Sequence, residues 1–191
     1  MSLEQKRAAK PMTEKRLRNI ASWYCSRYQV SQKKLEDYLL TKLNREVRDP
    51  EARSSFKEKI PGLISDLVKT GLVNDKEAAS AGLRKYLRTG YATHAAIKFA
   101  AISAKVDEEK VKNELENAIN ESLPEIEARS ADNEGSEIKH ALAALKRYKR
   151  GPFRSNSIDD TTHRRDANWL ARRGFNSEII RKVLDLEPLD G

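Results

Sequence analysis

Cysteine, clustered glycine and long apolar runs are nearly missing from this chain. Its 191 residues include one cysteine, Cys25, which excludes an intramolecular disulfide and points to a reducing compartment. Cys25 has Arg27 nearby but falls in an apolar helical stripe, so a buried, inert thiol is expected. The eight glycines never gather into a phosphate-cradling loop, and no Gly-Lys-Ser/Thr follows one. His94, His140 and His163 are far apart in sequence. They lack metal-ligand spacing, as do the missing Cys-x-x-Cys and His-Glu-x-x-His patterns, and each is expected at a surface or a helix end. No run approaches the ~20 apolar residues of a membrane span. The opening MSLEQKRAAKPMTEKR lacks the apolar core of a signal peptide, so a cytoplasmic protein is expected. No useful stretch alternates with period two, which leaves no strand to predict. Carboxylates are abundant, but nothing singles out a catalytic pair. The expectation is a protein that is not an enzyme and uses no cofactor or metal.

What the chain has is charge. Charged residues make up 35% and hydrophobic ones 38%, so the surface is large for the core, as in an elongated helical array. The net charge of +8 suits DNA, RNA or an acidic protein surface. Residues 1–34 hold nine Lys/Arg against two Glu, and residues 137–183 hold twelve against five acids. Between them, residues 107–134 hold ten acids against three Lys/Arg. The plain alternative for each run is a solvated helix face.

One joint recurs. In AKVDEEKVKNEL (104–115), Val106 precedes the capping residue Asp107 and Val111 follows on the new helix. In RGFNSEIIRKVL (173–184) the same places hold Phe175, Asn176 and Ile180, and a third copy uses Val30, Ser31 and Leu35. This is the hydrophobic staple around an N-cap, which sets the angle at which the chain enters a helix. Helical stripes fill the rest: Leu17, Ile20, Ala21, Tyr24 and Tyr28; Leu35, Leu39 and Leu43; Ile60, Leu63, Ile64, Leu67 and Val68, with Pro61 in a first turn. Asn74 and Glu77 form a capping-box variant before a helix through Leu83, Tyr86 and Leu87 to Gly90. Gly82 within it marks close backbone packing. Ala96, Ile97, Ala100 and Ala101 line the next helix. Val111, Leu115 and Ile119 line one ended by Pro124, and a further helix begins after Gly135 with Ile138, Ala141, Leu142 and Leu145. A last pair carries Trp169 and Leu170, then Ile179, Ile180, Val183 and Leu184.

These helices register against one another. Ser31, Leu35 and Leu39 match Ala92, Ala96 and Ala100, Leu63 and Leu67 match Val111 and Leu115, and those two match Ile180 and Leu184. The fold class is therefore all-α, an elongated array of three tandem three-helix repeats sharing a core. A flexible basic arm occupies 1–12. Repeat 1 spans 13–73, with 13 extra residues in an extended loop near 44–58, repeat 2 spans 74–124 and repeat 3 spans 125–187. The alternative is one irregular helical bundle.

With no reactive centre, recognition remains. Candidate contacts are cations interleaved with aromatics: Arg84, Lys85, Arg88, Tyr91 and Lys98; Arg147, Lys149 and Arg150; Arg164, Arg165, Arg172 and Arg173 near Trp169. Such cations neutralise phosphates, and tyrosines stack on bases or bury at protein interfaces. Alternatively the cations lie along a thin core, to which Tyr86 and Trp169 are assigned.

GLVNDKEAA (71–79), RKYLRTGYATHAAIKF (84–99) and above all WLARRGFNSEIIRKVL (169–184) resemble the RecX family of bacterial recombination regulators, over about residues 16–185. The last motif is the most specific, through Leu170, Ala171, Arg172, Arg173, Gly174 and Phe175. Departures are Glu77-Ala78, where the family often has Arg-Phe, and Lys98-Phe99 for Glu-Leu. The resemblance implies three tandem three-helix repeats in a curved molecule. It also implies a monomeric partner of the RecA–DNA filament that limits its growth and damps its ATPase, strand exchange and coprotease activity, in some members with contact to single- or double-stranded DNA. Two other readings stand beside it: a sequence-independent DNA-binding module, and a helical scaffold for another acidic partner.

Overall fold

A computed structural model describes residues 11–115, 117–118, 133–155 and 159–186. Every regular element among them is helical. The basic arm, apart from Pro11 and Met12, and most of the acidic stretch, with Ile119 and Pro124, lie outside the described residues. The chain divides into two compact units, Met1–Ala78 and Ala79–Gly191.

In the first unit, α1 (Glu14–Arg27) starts at Thr13, whose hydroxyl accepts from the Arg16 N–H at 3.1 Å. Helix α2 (Gln32–Glu46) starts at Ser31, which accepts from the Lys34 N–H. Val30 and Leu35 are buried on either side of that cap, as the staple requires. The predicted stripes face inward: Leu17, Ala21 and Cys25 from α1, Leu35, Leu39 and Leu43 from α2.

The extended loop expected near 44–58 is not there. Helix α2 continues to Glu46, and α3 runs unbroken from Pro50 to Lys69. Val47–Asp49 form the whole connection. Asp49 accepts from the Glu51 and Ala52 N–H groups at 3.2 Å, and Arg53 closes the turn through the carbonyls of Val47 and Arg48. The segment Asp49-Pro50-Glu51 is a helix start, with an acidic cap, proline in the first turn and a carboxylate at the positive end of the dipole. Its polar composition had suggested a loop. The extra residues lengthen α3 at its N-terminal end. Pro61 accordingly lies inside α3, not at its start. It is exposed, so the lost hydrogen bond falls on the solvent side.

Gly62 also faces outward, and a Cβ there would meet nothing within 4 Å. Gly62→Ala is therefore expected to stabilise the protein by about 0.5–1 kcal/mol. A urea midpoint that stays put or falls would contradict this placement.

Helix α3 ends at Gly71, whose φ is +74°, with the Leu72 and Val73 N–H groups bonded back to Leu67. This is the left-handed stop that glycine permits. Asn74 then accepts from the N–H groups of Lys76 and Glu77, as predicted, and starts α4 (Asp75–Arg88).

The second unit holds most of α4, then α5 (Thr93–Ala104), α6 (Glu108–Lys112), α7 (Asn133–Arg147), a short 3-10 turn (Gly151–Phe153), α8 (Asp160–Ala171) and α9 (Ser177–Leu184). Gly135 lies within α7, not ahead of it. Helix α5 buries Ala95, Ala96, Ile97, Ala100, Ala101 and Ala104, and its Ala100 Cβ lies 3.3 Å from where a Gly82 Cβ would stand. Small residues on both helices permit that approach. Asp107 occupies the N-cap of α6 without a side-chain hydrogen bond, while Val111 is fully buried. There the apolar half of the joint sets the chain's entry. At α9 both halves are present: Asn176 accepts from the Ile179 N–H at 2.8 Å, and Phe175 packs with Ile180 in one cluster.

Candidate recognition surface

Helices α4 and α7 each end in a cluster of cations, and the α8–α9 turn brings a third. The α4–α5 turn is Thr89-Gly90-Tyr91-Ala92 and the α8–α9 turn is Arg172-Arg173-Gly174-Phe175. These are the cores of the two most distinctive motifs in the sequence, and they dock on each other. The Ala92 N–H donates to the Arg173 carbonyl at 2.9 Å. The Arg173 Nε donates to the Thr89 carbonyl at 3.4 Å, and the Arg147 guanidinium donates to the Arg88 carbonyl. Two arginines thus satisfy carbonyls at the C-terminal end of α4, where the helix dipole favours cations.

Glycine is required at both turns. Gly90 has φ +81°, and a Cβ there would stand 2.7 Å from the Ala144 Cβ. Gly174 has φ +91°, and its Cβ would stand 2.6 Å from the Ala95 Cβ.

Rings surround this joint. The Arg173 guanidinium lies 3.7 Å from the Trp169 centroid, 5.5 Å from that of Tyr91 and 5.6 Å from that of Tyr148. Burial pulls the Arg173 pKa down, against the opposing effect of Tyr91 and Tyr148. Tyr91 continues to Tyr86 and Phe99, at 5.4 Å from each. Arg150 covers Trp169 at 5.0 Å. The result is one band of rings and guanidinium groups, each contact contributing about 0.5–2 kcal/mol according to its exposure.

The predicted contact residues take different places around this band. Lys85, Arg88, Lys98, Arg147, Lys149 and Arg172 are exposed, and Lys85 also lies over the Tyr86 ring. Arg84 is half-buried, its Nη1 bonded to the Ser80 hydroxyl at 2.7 Å. Tyr91, Arg150 and Arg173 are half-buried within the band. Arg164 and Arg165 are exposed on α8. Tertiary folding therefore gathers the 84–91, 147–150 and 172–173 groups, which the sequence separates.

Sequence reasoning missed Asp166. It is fully buried on α8. Arg150 and Arg154 both donate to its Oδ1 at 2.7 Å, while Arg154 Nε and the Gly151 N–H donate to its Oδ2 at 2.8 Å. Burial acts to raise its pKa, but the bonds from Arg154, Gly151 and Arg150 outweigh it and lower the value to about 2. A lone Asp after two arginines in a polar helix carries no local signal of this role.

Glu137 was also missed. Ala92 offers α5 no side-chain cap, and Glu137 from α7 supplies one by accepting from the Thr93 N–H at 2.9 Å. Beside it His140 is buried, contrary to the expected surface or helix-end position. Its Nδ1 lies 3.3 Å from the Thr93 hydroxyl. Its Nε2 has no partner, and burial lowers its pKa against the opposing charge of Glu137. The fit of α7 against the start of α5 draws His140 inside. Cys25 is buried as expected, and burial raises its pKa.

Among the described residues no group of three or more His, Cys, Asp or Glu side chains could hold a metal ion. Nor is any described helix long and apolar enough to cross a membrane. Fold and surface together define an all-helical protein that carries a cationic and aromatic band on its second unit.

Comparison with known proteins gives that class a relative. The chain is 26% identical over 177 residues to the regulatory protein RecX of Myxococcus xanthus (strain DK1622), covering 90% of this chain and 86% of that protein. Its fold matches the crystal structure of RecX from Lactobacillus salivarius with a TM-score of 0.51 at 18% identity, covering 90% of this chain and 96% of the other. No family model matches. The chain is thus similar in sequence to one RecX protein and shares its fold with another.

Proposed function

We propose that this chain is a regulator of RecA that binds the RecA–DNA filament and limits its growth, ATPase and strand exchange. It acts as a cytoplasmic monomer in recombinational repair and the SOS response. The observation that carries the reading is the gathering of the 84–91, 147–150 and 172–173 cations on one aromatic band, in a chain related to a RecX protein over nine-tenths of its length. Lys85, Arg88 and Lys98 are the first contact residues. Arg147, Lys149 and Arg172 form the second group of contacts, with Arg164 and Arg165 as a further one. Arg84, Tyr91, Arg150 and Arg173 hold the surface in shape as well as contributing to it. Regulation follows only if the protein binds one filament state more tightly than another.

The test is RecA ATPase on single-stranded DNA, titrated with this protein beside a bare-DNA binding control. ATPase should fall at concentrations that leave bare DNA unbound. The double variant Lys85→Glu/Arg88→Glu, which leaves Arg84 on Ser80, should weaken filament binding by roughly tenfold or more. Unchanged binding removes the cluster from the mechanism. The net charge of +8 favours a second reading, sequence-independent DNA binding without RecA. Tight bare-DNA affinity with a steep salt slope would select it.

A further inference from the structure

The outer face of α5 carries two large apolar side chains. Ile102, 62% exposed, is the most open large hydrophobic residue among those described, and Phe99 is 38% exposed. They stand three residues apart and so share one side of the helix, as does Lys98, four residues before Ile102. The inner face is already filled by Ala96, Ile97, Ala100 and Ala101, so Ile102 adds nothing to the core. The Phe99 ring is held in place by two others. Its centroid lies 5.7 Å from that of Tyr86 and 5.4 Å from that of Tyr91. Helix α4 and the α4–α5 turn therefore brace an apolar spot that they leave open to solvent.

We propose that Phe99 and Ile102 are the apolar anchor of a protein-binding surface whose occupant is an acidic amphipathic segment of the partner. This rests on the reading of Lys85, Arg88 and Lys98 as contacts, and names what they contact. Charge complementarity selects the occupant. Residues 78–106 hold five Lys/Arg and no Asp or Glu. Lys85, Arg88 and Lys98 are exposed, and none of them is ion-paired among the described residues. An acidic segment brings carboxylates to these cations while its apolar side chains cover the anchor. That is the division of a protein interface into an apolar centre and a polar rim. The anchor also separates protein from nucleic acid. Bases stack on open ring faces, and Ile102, the most open group, offers none. A second copy of the chain fits poorly, because a two-fold contact would bring two sets of these cations together.

The probe is a labelled short helical peptide of leucine and glutamate, with leucine along one face. One control peptide has lysine for glutamate, and the other has glutamine for leucine. The full chain should bind the leucine–glutamate peptide roughly tenfold or more tighter than either control. Phe99→Ser/Ile102→Ser should weaken that binding by roughly tenfold or more, and Phe99→Leu/Ile102→Leu should keep most of it. Ile102→Ser alone, at so open a site, leaves the fold intact and should still weaken it by roughly threefold. Affinity for oligothymidylate should be the same in every variant, which a misfolded protein would not show. Equal peptide affinity with and without the anchor overturns the proposal, as does equal affinity for the three peptides. A parallel loss of oligothymidylate binding in Ile102→Ser would assign the face to nucleic acid. Self-association of the unmodified chain that Ile102→Ser abolishes would assign it to a second copy, and either result also overturns the proposal. The RecA–DNA filament is titrated separately with the same variants. Peptide discrimination with unaltered filament binding removes RecA as the partner at this face and leaves the anchor standing.

Discussion

Asp166→Ala is expected to destabilise the second unit by about 3–5 kcal/mol, because it leaves two guanidinium groups and the Gly151 N–H facing a void. The carboxylate is fully buried and accepts four hydrogen bonds. Removing one partner of such a cluster strands the others in a medium that solvates them poorly. Chemical denaturation followed by circular dichroism measures the loss. A change below about 1 kcal/mol would mean that the cluster is solvated and weak, as surface pairs are.

The same group makes a pH prediction. Its folded pKa is depressed, from the ordinary aspartate value of 3.8 to about 2. The stability it confers is therefore fully present above pH ~4. That stability is lost as the pH falls toward 2, because the unfolded chain takes up the proton first. The gap corresponds to about 2 kcal/mol. Asp166→Asn should lack this component of the acid transition, and an unaltered acid limb would show that other carboxylates carry it. Arg150, one of the predicted contacts, should also lose its position over Trp169 in these variants.

Gly174→Ala is the second large effect, expected to cost about 3 kcal/mol or more. Positive φ costs an L-residue about 1–2 kcal/mol. The new methyl would also stand 2.6 Å from the Ala95 Cβ and 3.3 Å from the His94 ring. Ala95 is buried on α5 and has no rotamer with which to yield, so helix or turn must move, an overpacking cost of about 1–3 kcal/mol. Gly90→Ala meets the Ala144 Cβ in the same way. Both changes pry apart the docked turns, so Arg173 should leave its cage of rings and the intrinsic fluorescence of Trp169 should shift. Wild-type urea midpoints for both variants would rule out that docking.

Much of the local structure could be read in the sequence. Ser31, Asn74 and Asn176 cap helices because a short polar side chain before an apolar stripe has few other uses. The stripes at Leu35-Leu39-Leu43 and Leu63-Ile64-Leu67 are buried as their spacing required. The misreadings at 44–58 and Pro61 came from weighing composition above the Asp-Pro-Glu start signal. A proline in mid-helix is tolerated when its missing bond faces water, and sequence periodicity does not reveal that orientation.

The candidate surface was legible as residue types and illegible as an arrangement. The basic and aromatic residues could be named because cations interleaved with rings stand out in a linear chain. Their division of labour could not, because Arg173 and Arg88 look alike until one is seen inside a ring cage and the other in solvent. Asp166, Glu137 and His140 act through partners distant in sequence, and no short-range pattern encodes such a pairing. By itself the sequence determined the helices, their caps, the inward faces and the stock of cationic and aromatic groups, all of which depend on neighbours within a turn or two. Only the tertiary structure decided which turns meet, which arginines are held inside and which remain free to bind, because those outcomes depend on distances between segments that the chain order leaves open.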